Sequence, residues 1–79
     1  MKITGFRCVT RKGEDVPCDA FGNNVAFACE SCSHPVLGVL RENQRGSDSL
    51  HPAECPKCHQ KHWLAVNDRQ RTLQLRISA

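Results

Sequence analysis

The chain has 79 residues, 39% of them apolar and 5% aromatic, with a formal net charge of +3. A chain of this length has room for one domain and buries only a modest apolar area, so three Phe, one Trp and no Tyr would make a thin core without a disulfide or a structural metal. The longest wholly apolar run, Val36 to Leu40, is far short of the ~20 residues of a membrane-spanning helix, and MKITGFRCVT lacks the apolar stretch of a signal peptide; the expectation is a soluble cytoplasmic protein whose six cysteines stay reduced.

Along the chain, MKITGFRCVT and VPCDAF read as a hairpin turning at Arg11 to Asp15. A register centred on Gly13 sets Cys8 opposite Cys18. These two are small apolar residues packed on a partly buried face, a cross-strand disulfide or sensor pair, or part of a second metal site. VAFAC follows as a strand, with Val25, Phe27 and Cys29 recurring on one face. HPVLGVL is a further strand, and RENQRGSDSL a polar loop that can lengthen freely. A short turn of helix is expected around Leu50 to Glu54. HWLAV is strand-like, NDRQR is a polar turn, and RTLQLRIS alternates with Leu73, Leu75 and Ile77 on one face, the mark of a half-buried antiparallel strand. The fold class is therefore mainly β, a β-meander of antiparallel hairpins. It forms a single domain over 1–79, with an amino-terminal hairpin at 1–24 and a metal-binding ribbon at 25–79.

Four cysteines form two pairs, Cys29-Glu-Ser-Cys32 and Cys55-Pro-Lys-Cys58, with 22 residues between them. Each Cys-x-x-Cys turn lets two thiolates approach one ion, and two such turns supply the four sulfurs of a closed tetrahedral zinc site. Pro56 fixes φ and removes one amide between the second pair of ligands. These motifs resemble the zinc-ribbon family, over roughly Val25 to Val66. The resemblance implies one Zn²⁺ held by Cys29, Cys32, Cys55 and Cys58, with a single iron in a rubredoxin-like site as the competitor. Ser33 and His59 stand where that family often has Gly.

Other readings of the same residues compete. Cys55-Pro-Lys-Cys58-His59 also spells a haem-attachment motif, but the only Met is Met1 and the first Cys-x-x-Cys would be left unexplained. A redox dithiol lacks a thioredoxin-like βαβ context. His34, His51, His59 and His62 cluster around the knuckles, where four cysteines already saturate the metal; they read as solvated residues or as donors to sulfur. No nucleophile-base pair or phosphate loop stands out, so no enzyme activity and no small-molecule substrate are expected. From Pro56 onward, Lys57, Lys61, Arg69, Arg71 and Arg76 face Asp68 alone. Zinc with four ionised ligands would bring the formal charge to about +1, leaving a local basic patch with Trp63 beside it as a core residue or a stacking platform. Function is expected to be that of a macromolecule-binding module. Its partner is a nucleic acid, contacted through Lys57, Lys61, Trp63, Arg69 and Arg71, or a protein, with a thiol redox role as a further alternative.

Overall fold

Alternating apolar residues become eight strands in the computed structural model, which describes residues 2–78. They are β1 (Arg7–Val9), β2 (Asp15–Val16), β3 (Cys18–Phe21), β4 (Asn24–Ala28), β5 (Pro35–Val39), β6 (Ala53–Glu54), β7 (Lys61–Asn67) and β8 (Thr72–Ser78). One sheet has the order β2-β1-β8-β7-β6, the other β3-β4-β5. Among the described residues no helix forms, so the chain is mainly β, as the alternation predicts.

Thr10 decides where the first hairpin turns. Its hydroxyl accepts from the amides of Lys12 and Glu14 at 3.2 Å each, and its own amide donates to the Glu14 carbonyl at 2.8 Å. The turn is thereby centred on residue 12, and Cys8 lies opposite Val16. This corrects the register centred on Gly13: Cys18 is not the strand partner of Cys8. Pro17 has no amide to donate, so the pairing stops at Val16. The chain then crosses into the second sheet, where Cys18 lies opposite Phe27. The amino-terminal segment is thus divided between the sheets. β1 also pairs in parallel with β8, Cys8 beside Leu73, a contact that no simple meander contains.

The inward faces of the two sheets meet in one core. β4 contributes Val25 and Phe27 and β5 contributes Val36; Leu64 comes from β7, and Leu73 and Leu75 from β8. Ile77 shares the face of Leu73 and Leu75 but emerges at the rim. Phe27 is the one Phe or Trp side chain that is fully buried.

The stretch RENQRGSDSL is not the free spacer its polarity suggests. Gly46 is buried at φ 91°, and a Cβ there would stand 3.3 Å from the Cα of Gly38. The Val39 amide donates to the Arg45 carbonyl at 2.7 Å, and the Leu64 amide to the Gly46 carbonyl at 2.9 Å, so the loop is hydrogen-bonded to a strand of each sheet. The expected turn of helix around Leu50 to Glu54 does not form. Asp48 Oδ1 accepts from the amides of Leu50 and His51 at 2.9 and 3.0 Å, an Asx turn that takes these amides away from helical pairing. After Pro52, β6 joins the edge of β7.

Candidate metal centre

Each Cys-x-x-Cys pair ends a strand and turns the chain in the same way. In the first, the Cys29 amide donates to the His34 carbonyl at 2.9 Å and the Ser33 amide to the Cys29 carbonyl at 2.8 Å. In the second, the Cys55 amide donates to the Gln60 carbonyl and the His59 amide to the Cys55 carbonyl, both at 2.9 Å. Such tight closure requires a left-handed residue just after the second cysteine, and Ser33 (φ 65°) and His59 (φ 66°) occupy those positions. Here the two departures from glycine leave the knuckle shape intact at the expense of backbone strain.

β4 and β5 carry the first knuckle, and β6 and β7 carry the second, so each sheet delivers two thiols to one point. The four Sγ atoms of Cys29, Cys32, Cys55 and Cys58 all lie within 4.8 Å of one another. Cys29 Sγ is 3.5 Å from Cys58 Sγ, and Cys32 Sγ is 3.6 Å from Cys55 Sγ. These separations are far too long for disulfides at ~2.05 Å, and all the cysteines are free. They are close to the ~3.8 Å edge of a sulfur tetrahedron with metal–sulfur bonds of ~2.3 Å. The four cysteines are positioned to bind one metal ion. Cys29 and Cys55 lie in the core, whereas Cys58 stands at the surface.

The electrostatics of the second knuckle favour the same chemistry. Burial pushes the Cys55 thiol up, but the amides of Cys58 and Lys57 and the thiols of Cys32 and Cys58 outweigh it and bring it down to about 6. With Pro56 contributing no amide, the two that remain in this turn both stabilise its sulfur. The Gln60 amide favours the Cys58 thiolate, yet burial and the thiols of Cys29, Cys32 and Cys55 prevail and push it up to about 12. The Cys55 thiolate therefore forms readily while that of Cys58 is resisted. A cation is what allows all four to ionise together.

Around the sulfurs, side chains tie the knuckles to each other. Ser31 Oγ donates to Gln60 Oε1 at 3.4 Å from one knuckle to the other, and within the second Glu54 Oε2 meets His59 Nδ1 at 3.0 Å. His62 is fully buried against Phe27, ring centroids 5.5 Å apart and edge to face. Its Nε2 accepts the Glu30 amide at 3.3 Å, so a side chain of β7 holds the backbone of the first knuckle in place. Burial lowers its pKa, which keeps the ring neutral and able to accept. His62 is the residue that the cysteine pattern alone misses; alternation with Leu64 is the signal that marks it as inward-facing. His34 Nδ1 meets the Pro35 carbonyl and His51 Nδ1 meets Asp48. Among the described residues no histidine is placed to donate to sulfur.

The basic residues separate into two groups. Lys61 and Trp63 share a face of β7, and Arg76 lies across from Trp63 on β8 with its guanidinium 5.9 Å from the indole centre. Trp63 is half-buried on this outer face and is not a core residue. Glu54 stands opposite Lys61, so the stripe is not uniformly basic. Lys57 sits at the knuckle tip, while Arg69 and Arg71 lie in the turn at the other end of β7, about 20 Å along an extended strand. Arg71 is occupied, donating to the Thr4 carbonyl at 3.3 Å and lying over the Phe6 ring.

Comparison with protein-family models, with curated proteins and with solved structures finds no match to this chain.

Proposed function

We propose that this chain is a structural-zinc module of the zinc-ribbon type whose outer sheet face binds single-stranded nucleic acid. The observation that carries the zinc reading is the cluster of four thiols. A closed four-sulfur shell suits Zn²⁺ and leaves no position for a reacting water, which supports a structural role and no enzymatic one. When bound, the ion would neutralise the gathered thiolates and cross-link the two sheets through Cys29, Cys32, Cys55 and Cys58.

For the partner, the support is the outward-facing Trp63 with Arg76 over its ring and Lys61 two residues away on the same face. A base can stack on an indole whose neighbours pair with the phosphates, and this arrangement tolerates any sequence. Trp63 is the chain's single Trp, so its fluorescence reports on this face alone. Titration with a single-stranded oligonucleotide is expected to quench it, with affinity falling steeply as salt rises. Trp63→Ala should weaken binding by about 1–3 kcal/mol. Lys61→Glu with Arg76→Glu should flatten the salt slope by about one for each phosphate no longer neutralised, whereas Arg69→Glu should leave it nearly unchanged. Thermal melting of each variant separates weakened binding from a damaged fold. Absence of quenching by DNA or RNA at low salt sinks the nucleic-acid reading.

A protein adaptor is the second reading, favoured by the outward face of β3, β4 and β5. Ala26, Leu37 and Pro35 are exposed there, beside a shallow groove lined by Pro17, Asp19, Ala28 and Ser33. Binding through that face would vary little with salt and leave Trp63 fluorescence unchanged.

A further inference from the structure

Six cysteines divide into the quartet at the knuckles and a pair at the far end of the first hairpin. Cys8 is wholly buried on β1, beside Leu73 and opposite Val16. Cys18 lies two residues beyond Val16, past the Pro17 crossing, at the start of β3. Its strand partner is the buried Phe27, so its side chain is directed toward the space between the sheets. The two cysteines therefore approach each other across the sheet junction. Both line one small cavity with Phe6 and Val16. Cys18 Sγ also faces the Phe6 carbonyl at 3.9 Å. Exposure differs between them: Cys18 is partly open to solvent, and Cys8 is sealed.

We propose that Cys8 and Cys18 are a second thiol site, separate from the metal quartet, which closes to a disulfide joining the two sheets when the protein meets a peroxide. The asymmetry of access assigns the roles. The Cys18 thiolate attacks a peroxide oxygen, the O–O bond breaks, one water leaves after protonation, and Cys18 becomes a sulfenic acid. Cys8 then loses its proton and attacks the Cys18 sulfur, forming the S–S bond and displacing hydroxide, which takes up a proton as the second water. Two thiols lose two electrons, and one peroxide becomes two waters. Burial first, and the Cys18 thiol second, hold the Cys8 pKa up. Cys8 is therefore held as the protonated thiol and kept from solvent, which leaves Cys18 as the one that meets the oxidant first. A dithiol reductant reopens the pair.

The test uses the metal-loaded wild-type chain with one equivalent of hydrogen peroxide, followed by unfolding, alkylation of every remaining thiol and peptide mapping by tandem mass spectrometry. The expected result is loss of Cys8 alkylation, with Cys8 recovered in a peptide cross-linked to Cys18 and Cys29, Cys32, Cys55 and Cys58 still alkylated. Cys18→Ser should abolish the cross-linked peptide and leave Cys8 alkylated, with no change in metal content. Recovery of Cys8 and Cys18 both as alkylated thiols, or of Cys8 as an alkylated thiol beside an oxidised Cys18, from wild-type protein would overturn the proposal, as would a cross-link from Cys8 to any cysteine of the quartet.

Discussion

Ser33 and His59 hold the same left-handed conformation at the same place in the two knuckles. A side chain at that φ costs about 1–2 kcal/mol, against about 0.5–1 kcal/mol of chain entropy that glycine would lose on folding. Ser33→Gly is therefore expected to raise the stability of the metal-loaded protein by up to about 1 kcal/mol, and Ser33→Val, with a branched Cβ at positive φ, to lower it by about 1 kcal/mol. Denaturant midpoints of the two variants check this ordering, and a glycine variant less stable than wild type contradicts it. At this scale the sequence was informative where chemistry is tied to spacing. Each pair of thiols converges because Cys-x-x-Cys dictates a local turn, and the need for glycine-like conformation at Ser33 and His59 could be read from the same motif. Trp63 and His62 were harder to place because size and polarity argued one way and alternation the other. In KHWLAV the period of two puts His62 and Leu64 inside and Trp63 outside, and that period outweighed the pull of the large ring toward the core.

Gly46 shows what an element's polarity conceals. This residue sits at φ 91° with Gly38 and Ala53 against it, while Gly13, at φ 86°, has nothing within 4 Å of the position a Cβ would take. Both alanine variants bear the same backbone strain, but only Gly46→Ala adds overpacking, which costs about 1–3 kcal/mol. The expected outcome is a lower unfolding midpoint for Gly46→Ala than for Gly13→Ala; equal midpoints would mean that the loop is the loose spacer its composition suggests. The strands themselves were legible from alternation, and β4, β5, β7 and β8 lie where it puts them. What alternation cannot encode is pairing between distant segments. The parallel contact of β1 with β8 has no local signature, and the register of the first hairpin depends on a side chain, the Thr10 hydroxyl, that hydrophobic pattern ignores. Pro17 did carry a readable signal, since a residue without an amide ends a ladder, and it separates Cys18 from the hairpin of Cys8.

For the molecule as a whole, the core is small and the four thiols are placed to hold an ion beside it. It holds one fully buried Phe, several aliphatic side chains and cysteines from both knuckles, with Phe21 and Leu50 left in solvent. Domains this small fall near zero when apolar burial is set against conformational entropy. A structural zinc at the quartet would contribute an apparent ~10–16 kcal/mol near neutral pH, enough to decide whether the domain is folded. The quartet is also where the two sheets are drawn together, since β4 and β5 belong to one and β6 and β7 to the other. Cys55→Ser should accordingly collapse both sheets at once. The central claim is that fold and metal are inseparable, and native mass spectrometry of the reduced chain tests it most directly, because mass reports the ion and charge-state distribution reports compactness. The account predicts a compact species carrying one zinc ion per chain, replaced after treatment with a strong chelator by a metal-free species with the broad, high-charge distribution of an unfolded chain. A compact, low-charge chain with no metal would contradict it.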